Sequence, residues 1–258
     1  MKEHTRKMVN VLGIDVSVMR PEKAVNITMN YLNRKEVSKI FFHTASSSLY
    51  CEEQKLAADF IDSCNLVLPG DQHMEYAVAH KTFSEEEQRG NGLFADAYLR
   101  RLLDRLNKDS HEIYAIMAKE DRFTSLKEYM SASFPQIVIK GQVFEETSEG
   151  EGARIVNEIN ACIPDIVFVC MPTELQIPFL EEYISMMNTK LIICIDSLQP
   201  LVITDREEFP HWVEALHLHP FYRWFKKEGK FQERLIASIF KKTVLDSSVS
   251  EKDEAENK

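Results

Sequence analysis

Four short polar segments each follow an apolar run: Thr44-Ala45-Ser46-Ser47, Gly70-Asp71-Gln72-His73, Met117-Ala118-Lys119-Glu120 and Met171-Pro172-Thr173-Glu174-Leu175-Gln176. Their hydroxyls, carboxylates, amides and imidazole are the groups that hold polar ligands or move protons. Each has a plain structural reading as well. Asp71 suits a turn after Pro69-Gly70, where Asp bonds to nearby backbone. His73 titrates near neutrality when unperturbed, but a lone histidine is commonly a surface or capping residue. Glu75 and Glu174 read as solvated acids or as substitute proton acceptors. Arg89 lies in a charged stretch, where an ion pair with Glu85 to Glu87 competes with ligand binding. His217 and His219 stand at i, i+2 and share no helix face, so no metal site is expected there.

The remaining signatures are negative. The five cysteines form no C-x-x-C pair, and Cys162, Cys170 and Cys194 lie in or beside apolar runs as small hydrophobes. No G-x-G-x-x-G, Walker loop, H-E-x-x-H or G-x-S-x-G occurs, which removes the commonest nucleotide, metalloprotease and hydrolase readings.

The elements that must position these segments follow from periodicity. Val9 to Ile14 reads as a first strand, Pro21 opens an amphipathic helix to about Arg34, and Lys39 to Thr44 reads as the next strand. Ala45 to Ser48 suits a loop or cap, and a helix over Lys55 to Cys64 leads to the run Leu66-Val67-Leu68-Pro69. After the polar stretch Lys81 to Gly92 come helix Leu93–Leu106, strand Glu112–Met117, helix Ser125–Ser133 and strand Gln136–Ile139. Helix Gly152–Cys162, strand Asp165–Met171, helix Leu175–Met187 and strand Lys190–Ile195 complete the series. Continuous Val/Ile/Phe strands alternating with helices predict an α/β, Rossmann-like, doubly wound and mostly parallel sheet flanked by helices. Ligands of such folds bind outside the carboxyl ends of the strands, which is where the four polar segments fall.

With 258 residues, 44% of them apolar, one core is the default. The domain reading is 1–200 for the Rossmann-like unit, 201–245 for a basic C-terminal helical appendage of it, and 246–258 for a disordered acidic tail. The net charge of −10 argues against nucleic-acid binding. The appendage differs: Arg223, Lys226, Lys227, Lys230, Arg234, Lys241 and Lys242 interleave with Phe221, Tyr222, Trp224, Phe225, Phe231, Leu235, Ile236, Ile239 and Phe240. Such a stretch either lies in an anionic membrane interface or packs on the domain with its charges in water. No apolar stretch is long enough to span a bilayer and no secretory signal is visible, so a cytoplasmic location is expected.

Several segments, in order, resemble the WecG/TagA/CpsF glycosyltransferases from about Val9 to Lys242. Val9-Asn10-Val11-Leu12-Gly13-Ile14-Asp15 resembles the family's first strand, and Cys64 to Asp71 its "ADLVLPDG" segment. Pro164 to Val169 is similar to the strand before its "GxPKQE" loop. Pro210, Trp212, Leu218, Tyr222 and Arg223 keep the spacing of its "P-x-W-x5-L-E-W-L-Y-R" signature.

The resemblance implies transfer of a hexosyl, N-acetylhexosaminyl-type group from a UDP-sugar to a polyprenyl-diphosphate-linked acceptor in cell-envelope or exopolysaccharide synthesis. It implies no metal or other cofactor, and a place at the inner face of the cytoplasmic membrane. Carried over by position, Asp71 becomes the general base, although the order Leu68-Pro69-Gly70-Asp71 shifts the carboxylate one place from "LPDG"; His73, one turn on, is a helper by its own chemistry rather than by the resemblance. Thr44, Ser46 (an Asn in the family), Arg89 of an "R-x-x-G" and Gln176 become substrate-binding groups, Arg89 because its fork suits a diphosphate. Tyr222, Arg223, Lys226 and Lys227 become membrane or acceptor contacts. Met117 replaces a family Gly, Asp196-Ser197 a "GG" pair, Pro200 an Asp and Glu208 a basic residue. A second reading is therefore a catalytically silent relative that binds an active glycosyltransferase or the lipid carrier. Self-association into a homo-oligomer is a further expectation.

Overall fold

The computed structural model of this chain describes residues 7–82, 94–144, 150–196, 238–240 and 242–244. It opens with a hairpin in place of the single strand expected over Val9 to Ile14. β1 (Met8–Val11) and β2 (Ile14–Ser17) pair antiparallel as a separate two-stranded sheet. The turn is made by Leu12 and Gly13 at φ 49° and 87°, the left-handed pair that matches the twist of two antiparallel strands. Asn10 secures it, accepting from the Gly13 amide at 3.1 Å and donating to Asp15 Oδ1 at 2.8 Å.

The main body then alternates helix and strand. α1 (Pro21–Tyr31) starts with Pro21 in its first turn, where a missing N–H costs nothing. There follow β3 (Ser38–His43), α2 (Ala45–Glu53), α3 (Lys55–Asp62), β4 (Leu66–Pro69), α4 (Gln72–Thr82), α5 (Phe94–Lys108), β5 (Glu112–Met117) and α6 (Glu120–Ser133). β6 (Val138–Val143), α7 (Glu151–Cys162), β7 (Ile166–Cys170), α8 (Thr173–Tyr183), a 3-10 turn over Ile184–Met186 and β8 (Leu191–Cys194) complete it. The six strands β3 to β8 form one parallel sheet in the order β4-β3-β8-β7-β5-β6, as the sequence pattern predicts. α4 is an addition, because Gln72 to Thr82 shows little apolar periodicity beyond Met74, Ala77 and Val78.

Successive strand residues face opposite ways, and here both faces are dry. Ile40, Phe42, Ile113, Ala115, Phe168 and Ile193 join a cluster with α1, α5 and α6. Phe41, Tyr114, Ile116, Val167, Val169 and Ile192 join another with α2, α3, α4, α7, α8 and the hairpin residues Val11, Ile14 and Val16. Phe240 and Val244, in helical turns at 238–240 and 242–244, are 1% and 2% exposed and belong to this second cluster. These two described turns thus pack on the main body, with Ile239 and Lys242 exposed. Among the described residues no helix is long and apolar enough to cross a membrane.

The two ends of the sheet are finished differently. At the amino end Asp165 accepts from Lys190 Nζ at 2.6 Å, pairs with His111 Nδ1 at 2.8 Å and takes the Glu112 amide at 3.3 Å. Asn65 there accepts the Lys39 amide at 2.7 Å and, through its carbonyl, the Tyr31 hydroxyl at 3.0 Å. At the carboxyl end the chain leaves β5 toward β6 but leaves β7 toward β8. Connections that diverge in this way open a crevice above the strand ends.

Gly141, on β6, has no room for a side chain. A Cβ there would run into the Ala115 carbonyl oxygen and the Phe123 ring. Gly141→Ala is expected to destabilise the fold by about 1–3 kcal/mol through forced separation of β5 and β6, read as a lower midpoint in urea unfolding at unchanged slope.

Candidate functional site

The carboxyl ends of four adjacent strands bring their following residues into one polar cluster. Thr44 succeeds β3, Asp71 follows β4, Asp196 lies just beyond β8, and Thr173 opens α8 after β7. Local rules explain each placement. Thr44 is the N-cap of α2 in a capping box: its Oγ1 accepts the Ser47 amide at 3.1 Å while Ser47 Oγ accepts the Thr44 amide at 2.8 Å. With that lone pair engaged, its hydroxyl hydrogen is free to point outward, and Thr44 Oγ1 donates to Asp196 Oδ2 at 3.0 Å. Thr173 Oγ1 donates to the other oxygen, Oδ1, at 3.3 Å.

Asp71 takes the same kind of place at a helix start. Its Oδ1 accepts the Met74 amide at 2.7 Å, capping α4, and its Oδ2 accepts the Ala45 amide at 2.9 Å, in the first turn of α2. One carboxylate therefore holds two helix N-termini, where backbone N–H groups have no partner within their own helix. The residue before it is fixed by sterics. A Cβ on Gly70 would stand 2.7 Å from Thr44 Cγ2 and 2.9 Å from the Phe42 carbonyl oxygen, while the Gly70 amide donates to the His43 carbonyl at 2.7 Å. Position 70 has no space for a carboxylate, and position 71 is the first that does.

Beneath the cluster His43 is fully buried between Ser47 Oγ at Nδ1, 2.7 Å away, and Ser48 Oγ at Nε2, 2.8 Å away. Burial lowers its pKa to about 3, so the ring is neutral, and the two hydroxyls can serve either tautomer. Asp196 moves the other way. Burial pushes its carboxyl up to about 7, against the hydrogen bonds from Thr44 and Thr173, with Asp71 and Glu174 adding to the rise. Glu75 is raised by burial too, while its Oε1 accepts the Phe94 amide.

The other sequence-derived candidates divide. Ser46 is exposed on the first turn of α2, and His73 is partly buried on α4. Gln176 is fully buried: its Nε2 donates to the Val169 carbonyl at 2.7 Å, and its Oε1 has no hydrogen-bond partner among the described residues. Its side chain is thus turned beneath the rim in this conformation. Arg89, Tyr222, Arg223, Lys226 and Lys227 lie outside the described residues. The sequence placed Thr173 on the rim within the Met171 to Gln176 segment without singling it out, and marked Asp196 only as a departure from a glycine pair. The signal that could have singled out both is the position rule that selected Thr44, since each lies within three residues of the carboxyl end of a buried parallel strand.

A pocket of about 240 Å³ adjoins the cluster, lined by Phe144, Glu174, Leu175, Phe179, Glu182 and Tyr183 among others. Glu174 connects the two, because it lines the pocket and its charge bears on Asp196. Among the described residues no group of three or more His, Cys, Asp or Glu side chains is arranged to hold a metal ion.

Asp196 also leaves a mark on stability. Its carboxyl titrates higher in the folded chain than in the unfolded one, so its contribution is most favourable below pH 4 and is lost as pH rises through about 7. Asp196→Asn removes that loss. The unfolding free energy of the variant, minus that of the wild type, is expected to climb between pH 4 and pH 8 in paired urea titrations. A flat difference would show that the carboxyl is not displaced.

Known proteins share this sequence pattern. Residues 9–251 match the glycosyl transferase WecG/TagA/CpsF family. A Bacillus subtilis (strain 168) protein, N-acetylglucosaminyldiphosphoundecaprenol N-acetyl-beta-D-mannosaminyltransferase, is 23% identical over 194 residues, spanning 75% of this chain and 73% of the relative.

Proposed function

The chain belongs to the WecG/TagA/CpsF glycosyl transferase family, and from that premise we propose that it moves an N-acetylhexosaminyl group from a UDP-sugar to a polyprenyl-diphosphate-linked N-acetylglucosamine. The observation that carries this reading is the cluster of Thr44, Asp71, Thr173 and Asp196 at the carboxyl ends of adjacent parallel strands. The acceptor in the name of the Bacillus subtilis relative is a sugar on undecaprenyl diphosphate, and an acceptor of that class suits a protein that works at the cytoplasmic membrane face.

The chemistry asks for three things, and the edge offers each. A hydroxyl of the acceptor must lose its proton as it attacks the anomeric carbon, for which carboxylates lie ready. The departing diphosphate must be met by hydrogen-bond donors. The start of α8, which no described side chain caps, supplies backbone N–H groups and a positive dipole end at the same edge, and Arg89 is a further candidate. The sugar needs a recess beside those groups, and the pocket lined by Glu174, Phe144 and Phe179 offers one. No metal or other cofactor is part of this proposal. Arg223, Lys226 and Lys227 are proposed to meet anionic lipid or the acceptor's diphosphate.

The test is a transfer assay with purified protein, UDP-N-acetylhexosamines and a short-chain polyprenyl-diphosphate N-acetylglucosamine, read by chromatography of the lipid product. We expect a disaccharide lipid and stoichiometric UDP, with Arg89→Ala raising the donor KM about tenfold or more. Absence of product with every donor, together with absence of UDP-sugar binding by calorimetry, would leave the silent-partner reading in its place.

A further inference from the structure

We propose that Asp196 is the residue that takes the acceptor's proton during transfer, with Thr44 and Thr173 positioning its carboxylate and Asp71 serving as a positioning residue that holds two helix starts. The inference rests on the transfer reading above and deepens it.

The two carboxylates differ in what a proton would do to them. Both oxygens of Asp71 accept backbone amides, from Ala45 at 2.9 Å and Met74 at 2.7 Å. An amide can only donate, so protonating Asp71 would weaken the caps of α2 and α4 at each turnover. Among the described residues Asp196 accepts only hydroxyls, from Thr44 at 3.0 Å and Thr173 at 3.3 Å. A hydroxyl rotates and accepts as well as it donates. When Asp196 gains a proton, Thr173 can turn to receive it and the network stays satisfied. Asp196 also keeps a partly exposed position, beside the Glu174 that lines the neighbouring pocket.

Other titratable groups around it fill different roles. Asp71 faces it from the end of β4 and Glu174 from α8, and both favour its protonated form. At the end of the preceding strand, β8, the buried Cys194 has its thiol pushed up by burial, so it stays protonated. His43, below, is neutral. A carboxyl that titrates near 7 combines an available base form with adequate proton affinity at neutral pH. Asp196 therefore does from the end of β8 what the family resemblance assigns to Asp71 at the end of β4.

In the step itself the acceptor oxygen forms a bond to the anomeric carbon as the bond from that carbon to the diphosphate oxygen breaks. The electron pair of the broken bond leaves with UDP. The acceptor's hydroxyl proton passes to an Asp196 carboxylate oxygen and from there to water, which restores the base.

The test is the pH dependence of kcat/KM from pH 5.5 to 9 for the wild type, Asp196→Asn and Asp71→Asn, using a UDP-sugar because its diphosphate does not titrate in that range. The wild type should show an acid limb, its rate falling as pH drops below about 7. Asp196→Asn should lower kcat at least about 100-fold, with donor KM within a few-fold and a cooperative melt retained. Asp71→Asn should lose melting temperature and some activity yet keep the acid limb. A wild-type profile flat across the range overturns the assignment without any variant. So does an Asp196→Asn enzyme that keeps its rate, or an acid limb abolished only by Asp71→Asn. Absence of turnover in the wild type would instead strike the transfer reading, and this inference would fall with it.

Discussion

A parallel sheet covered on both faces has no dry place for a polar side chain except at its two ends. Here that constraint governs the molecule. Every described strand of the main sheet contributes alternate residues to one apolar cluster or the other, and burying an unpaired polar group costs several kcal/mol. Polar groups are therefore swept to the strand ends. The amino end uses them to tie neighbours together through Asp165 and Asn65. The carboxyl end, where helices start and backbone N–H groups lack partners, gathers carboxylates and hydroxyls instead.

Thr44 shows how far one side chain can serve both purposes. Its hydroxyl oxygen completes the cap of α2 and its hydroxyl hydrogen reaches Asp196 across the β3–β8 boundary. Helix geometry, strand order and the placement of a titrating carboxyl are joined at that atom. The arrangement is close-packed as well, since its methyl group shuts out any side chain at Gly70.

Much of the fold was legible because its strands are continuous apolar runs, such as Ile166 to Cys170, bounded by turn residues. The hairpin was not. Its turn uses Leu12 at positive φ, and leucine gives none of the warning that an Asn-Gly pair gives. α4 escaped for a different reason: its buried side is small, and what fixes it is the Asp71 cap and contact with the hairpin sheet rather than a broad apolar stripe. In the site, Thr44 and Asp71 were legible from their positions after strands. The contact between Thr44 and Asp196, 152 residues apart, was not, because β8 inserts between β7 and β3 and nothing local announces it. Gln176 was legible as a rim residue from its place after a strand; the direction of its side chain depends on the Val169 carbonyl beneath it.

The division of the interior into two clusters has a consequence for how such a molecule can change. The apolar side chains above and below the sheet belong to separate groups, with the strand backbones between them as a partition. Volume changes in one compartment reach the other only by moving a strand, so substitutions on opposite faces should combine almost independently. The compartment under α2, α4 and α8 carries the helix starts that shape the chemistry, and the one under α1, α5 and α6 does not. Lineages of this fold can thus accumulate repacking under α1, α5 and α6, gaining or losing robustness there, while the reactive edge keeps its geometry.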